Sequence, residues 1–124
     1  MSNNVLPFRS SPQHTLDNQL RFAIANKRLI RFTYQSAVRV AEPHDYGVRD
    51  GTLTLLAFQR QKAGRKDNHV RGWRWLDLDR IQDCMVLEET FGGTREAAGQ
   101  QHHRWDVLYA RVDFSIEAPR QDDC

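Results

Sequence analysis

Residues 16–35, LDNQLRFAIANKRLIRFTYQ, change their hydrophobic period partway along. In the first half Leu16, Leu20, Ala23 and Ile24 recur at helical spacing and make one apolar stripe, with Phe22 off it. Thr15 or Asp17 can cap such a helix, which is expected to run to about Lys27. From Leu29 the period falls to two. Ile30, Phe32 and Tyr34 then share one side while Arg31, Thr33 and Gln35 share the other, as a half-buried strand requires. A helix therefore feeds directly into a strand.

Downstream, Gln35-Ser36 reads as a brief turn into a second strand around Val38 to Ala41. Pro43 is expected to end that strand or push it to an edge, because proline cannot donate to a ladder. Asp50-Gly51 marks a tight hairpin turn before a strand from Thr52 to Phe58. The polar, basic segment Gln59 to His69, QRQKAGRKDNH, reads as an exposed loop. A further strand is expected over Val70 to Leu78 and a closing one over Cys84 to Leu87. Five short strands at roughly ten-residue spacing behind one helix give a mainly β (α+β) class. They favour a small closed barrel over an open sheet, since closure removes edges.

The last ordered element is ambiguous. In RWDVLYARVDFSIE, Trp105, Leu108, Tyr109 and Val112 fit a helical stripe, while Val112, Phe114 and Ile116 alternate like a strand. The favoured reading is a helix to about Arg111 with an extended continuation. The chain thus divides into a flexible leader (1–13), a barrel domain (14–92) and a C-terminal extension packed on the barrel (93–124).

The 124 residues suit one domain, and 40% hydrophobic composition is enough for a modest core. No stretch approaches the ~20 apolar residues that span a bilayer, and MSNNVLPFRSSPQH lacks signal-peptide features, so a soluble cytoplasmic protein is expected. Cys84 and Cys124 supply neither a disulfide framework nor metal-ligand spacing. The net charge of +2 conceals an asymmetry: residues 21–80 hold thirteen Lys/Arg against six Asp/Glu, and residues 81–124 hold four against nine. Either a basic face attracts an anionic ligand or the basic side chains form ordinary solvated surface.

Arg71, Arg74 and Arg80 lie close in sequence to Trp73 and Trp75. Guanidinium groups fork onto phosphate and aromatic faces stack bases, which is the local logic of single-strand binding. Arg74 and Arg80 share strand parity and can project to one side if no bulge intervenes. Against this, Trp73 and Trp75 can be core residues, and Asp77 and Asp79 can tie down the arginines as ion pairs. His44 can donate to a phosphate or carboxylate or, as a lone loop histidine, be merely solvated. Arg60, Lys62, Arg65 and Lys66 read as a non-specific electrostatic skirt. Enzyme signatures are missing: no G-x-S-x-G, no phosphate-cradling glycine loop and no H-E-x-x-H, while His102-His103 has no recognised zinc spacing. The reading is non-enzymatic, without metal or cofactor.

LRFAIANKRLIRFTYQ, RVAEP, GTLTLLAF and RWLDLDRI occur in an order and spacing that resemble the WYL domain family over about residues 16–91. The most specific piece is Arg74 to Ile81, and Arg39 belongs to the matching R-x-x-x-P segment. The family's name motif would fall on Leu53-Thr54-Leu55, so its Trp and Tyr are replaced here. The resemblance implies an Sm/SH3-like barrel that senses a ligand in bacterial transcription regulation, with links to single-stranded nucleic acid and nucleotide-like effectors. With no preceding pair of DNA-reading helices, the chain reads as a free-standing member. The expectation is a module for single-stranded nucleic acid or another anionic, nucleotide-like ligand, bound through Arg74, Arg80, Arg39, Arg71, Trp73 and His44. The alternative is a protein-interaction or oligomerisation unit, such as a homodimer, that binds no nucleic acid.

Overall fold

The computed structural model describes residues 12–64, 70–92 and 105–113. Helix α1 (Pro12–Ala25) is followed by β1 (Arg28–Tyr34), β2 (Ala37–Arg49), β3 (Thr52–Lys62), β4 (Gly72–Asp77), a 3-10 turn (Leu78–Arg80), β5 (Gln82–Thr90) and β6 (Val107–Arg111). The helix begins on a proline, whose missing N–H is no loss in a first turn. It ends where Asn26 N–H and its side-chain amide both donate to Phe22 O and Lys27 turns left-handed at φ 54°.

All strand pairings are antiparallel, and the order is β4-β3-β2-β1-β5, with β6 added to β2. The expected closed barrel is not what the described strands form. The sheet is open, because β4 and β5 each pair on one side and the 3-10 turn between them carries no ladder. The hairpins match their sequence signals: Gln35-Ser36 (φ 51° and 66°) and Asp50-Gly51 (φ 53° and 77°) both take the doubly left-handed conformation of tight hairpin turns.

β2 is longer than its proline suggests. Pro43 lies within the strand, opposite Ala57, beside a register shift between Pro43 and Asp45. It sits where β2 changes neighbours: β1 pairs up to Ala41 and β6 begins at Asp45. The C-terminal segment is also corrected. Residues 107–111 form β6 and not a helix, since the ladder on Asp45 to Val48 outweighs the helical stripe. Gly47 makes this approach possible, because a Cβ there would run into the Val107 carbonyl oxygen and lie 2.9 Å from Leu108 Cα.

The registers assign two faces. Ile30, Phe32, Tyr34, Ala41, Leu55, Ala57 and Leu76 point to one side and join Leu16, Leu20, Ala23 and Ile24 of α1 in one buried cluster. The opposite face carries Arg31, Val38, Val40, Glu42, Leu56, Phe58, Trp73 and Trp75. β2 is buried from Ala41 through Gly47, on both faces at once.

Candidate anion-binding groove

Arg31 of β1, Val38 and Val40 of β2, Arg60, Gln61 and Lys62 of β3, and Ala63, Gly64, Val70 and Arg71 line a groove of about 480 Å³. Strand alternation puts them together. Arg31 stands opposite Val40, and Val40 stands opposite Gln61, so the valines form a floor between cations of the neighbouring strands. A register shift between Val40 and Ala41 keeps Arg60 on this face. Arg71 places its guanidinium 5.6 Å from the Phe58 ring centre. Among the described lining residues four are basic and none is acidic.

Behind the groove lies a polar network on the helix side of the sheet. Arg39 is buried and donates to Tyr34 O from Nε (3.1 Å) and Nη2 (2.9 Å), and to Gln59 Oε1 (3.1 Å). Gln59 in turn donates to Val70 O (2.6 Å), the same carbonyl that accepts from Arg74 Nη2 (3.3 Å). Val70 therefore belongs to both layers, its side chain to the groove and its carbonyl to the network. Burial first, and then the neighbouring Arg74, push the Arg39 guanidinium below its usual range. Arg39 makes no ion pair with a described residue, so two cations approach each other beneath the groove with Arg39 held by hydrogen bonds and by the Tyr34 ring, whose centre lies 5.3 Å from its guanidinium.

The six sequence candidates are dispersed. Only Arg71 lines the groove; Arg39 and Arg74 lie in the network beneath it. Arg80 lies past the end of β4 at Asp77, in a 3-10 turn that interrupts the strand parity linking it to Arg74. It is exposed and sits 3.9 Å from Asp77. Trp73 is half-buried, edge-on to both His44 (4.8 Å) and Phe58 (5.5 Å). His44 is no loop residue: it is fully buried in β2, with Nε2 3.1 Å from Glu42 Oε1. Arg65 and Lys66 lie outside the described residues, as do His102, His103 and Cys124. Among the described residues no group of His, Cys, Asp and Glu is arranged to hold a metal ion.

Sequence reasoning does not bring Arg31, Arg60 and Lys62 together, as the groove does. Their signal is present in the parity of Arg31 with Thr33 and of Val38 with Val40, but joining them needs the β1–β2–β3 register. Glu42 likewise stands out in the sequence only beside its proline. It is buried (2% exposed) with Oε2 2.8 Å from Arg60 Nε. A second buried carboxylate, Asp45, takes Arg111 (Nε 3.1 Å) and Trp105 Nε1 (3.2 Å), fastening the end of β6 to the same face.

No helix among the described residues is long and apolar enough to cross a membrane. The WYL domain family model matches residues 16–86. Among solved structures the chain is similar to proteasome accessory factor B/C (PafBC) of Arthrobacter aurescens, with 24% identity and a TM-score of 0.51. That similarity covers 69% of this chain and 14% of PafBC, so it speaks for the fold alone. No similar sequence was found among curated proteins. With its family model spanning more than half of its length, the chain belongs to the WYL domain family.

Proposed function

We propose that the protein is a non-enzymatic binding module whose basic groove takes single-stranded nucleic acid or a nucleotide-like anion in a bacterial regulatory setting. The observation that carries this is the groove itself: Arg31, Arg60, Lys62 and Arg71 around Val38, Val40 and Val70, with no acidic side chain in the described lining. Cations neutralise phosphates, and an apolar floor accepts a sugar or base face. The site moves from Arg74 and Arg80 to this groove, with Arg39 and Arg74 supporting its base. The domain is read as an Sm-type barrel left open between β4 and β5, a reading supported by the antiparallel strand order and the 3-10 turn.

Fluorescence polarisation with labelled single-stranded oligonucleotides tests the function. Arg31→Ala with Lys62→Ala should weaken binding at least about tenfold at low salt, taking ~1 kcal/mol or more for each hydrogen bond to phosphate that is removed. Arg80→Ala should leave it within about twofold. Equal losses from both substitutions would show general electrostatics without a groove.

One observation favours a second reading, self-association. Val107, Leu108 and Tyr109 are 49%, 37% and 40% exposed on β6, whose described strand partner is β2 alone. Light scattering that gives a monomer mass at every concentration counts against it.

A further inference from the structure

We propose that Glu42, held from behind by His44, is the positioning group for Arg60 and strengthens the groove's grip on phosphate in spite of its own negative charge. The inference rests on the reading of the groove as an anion site.

Both oxygens of Glu42 are engaged: Oε2 accepts from Arg60 Nε at 2.8 Å, and Oε1 lies 3.1 Å from His44 Nε2. A carboxylate can only accept, so the His44 proton facing it is on Nε2. His44 is fully buried against the rings of Trp73 (4.8 Å) and Phe91 (5.2 Å), and its Nδ1 has no hydrogen-bond partner among the described residues. The imidazole therefore has one polar task in this setting, to hold Glu42. Glu42 in turn cannot rotate without abandoning a buried partner.

The consequence falls on Arg60, which alone of this trio reaches the groove, with 27% of its side chain exposed. Glu42 occupies its Nε and leaves the Nη1–Nη2 edge, whose two parallel donors match two oxygens of one phosphate. The exposed Glu89 approaches only Nη1, at 4.0 Å. A long arginine side chain is thus ordered before the ligand arrives, and the ordering cost is removed from binding. Lysine cannot replace it, because a single ammonium does not hold Glu42 and present a separate two-donor edge.

Simple electrostatics and positioning predict opposite signs, which makes the inference testable. Titrate the full chain with a labelled oligothymidylate at low salt as wild type, E42Q, R60A, R60K and E42Q/R60A, with thermal unfolding of each. Positioning predicts that E42Q weakens binding about fivefold, the factor for re-immobilising one flexible side chain, although the protein gains a net positive charge. It predicts that the double variant binds no more weakly than R60A, and that R60K stays near R60A. Tighter or unchanged binding by E42Q, or losses that add in the double variant, would overturn it. If E42Q does not fold, R60K decides: affinity near wild type refutes positioning, and affinity near R60A supports it. Wild-type protein that binds neither oligothymidylate nor inorganic phosphate overturns the groove reading and this inference together. Wild-type binding with an indifferent E42Q overturns this inference alone.

Discussion

Gly47→Ala should detach β6 while leaving the rest of the sheet folded. The new Cβ would strike the Val107 carbonyl and lie 2.9 Å from Leu108 Cα, both backbone atoms that cannot swing aside as a side chain can. Restoring ordinary carbon separations of ~3.5–4.0 Å requires β6 to retreat by about 1 Å. That displacement breaks the pairings of Asp45 to Val48 with β6 and strains the Asp106 N–Val48 O and Val112 N–His44 O bonds, both 2.8 Å. At ~1 kcal/mol net for each backbone bond, losing most of this ladder costs about 3 kcal/mol. For a domain of this size that lowers the melting temperature by roughly 10 °C or more. Hydrogen exchange read residue by residue should show protection lost over 107–111 and retained over β1 to β3. Unchanged protection of 107–111 together with an unchanged melting temperature would refute the close approach of β6 to Gly47.

Asp17 and Cys84 give two further expectations. Burial alone would raise the Asp17 carboxyl, but hydrogen bonds from Tyr46 (2.6 Å) and Arg21 more than offset it, and its pKa falls below the usual 3.8. A depressed folded value stabilises above the unfolded pKa and is lost as pH falls through the folded one. Asp17→Asn should therefore lower stability by about 1 kcal/mol at pH 7, and the gap to wild type should close below about pH 4 in urea titrations. A gap that is constant across that range would contradict the assignment. Burial pushes the Cys84 thiol up to about 12, so disulfide-exchange reagents should react with it far more slowly than with a free thiol at pH 8, by stopped-flow absorbance with Cys124→Ser as background.

Local signals are legible in the sequence wherever one element decides the outcome. The Leu16–Leu20–Ala23–Ile24 stripe, the switch of period at Leu29 and the Asp50-Gly51 turn each depend on neighbours a few residues away, and each is found. What long-range pairing decides is not legible. The stretch from Trp105 to Ile116 carries a helical stripe and a strand alternation in turn, and the bare backbone of Gly47, sixty residues upstream of Val107, lets 107–111 pair with β2. Pro43 reads as a terminator because its tolerance depends on β1 ending and β6 beginning beside it. The basic character of the centre of the chain is visible, but which of its cations share a groove is not. Arg74 and Arg80 are linked by a parity that the 3-10 turn interrupts, whereas Arg31, Arg60 and Lys62 come from two strands joined through a third.

The most direct test of the groove is amide chemical-shift mapping of the isotope-labelled chain during titration with a short single-stranded oligonucleotide. The account predicts that the largest changes fall on Val38, Val40, Lys62, Gly64 and Arg71, with Leu78–Arg80 and β6 unmoved. Changes concentrated at Arg80 and Asp77, or on Val107–Arg111, would contradict it.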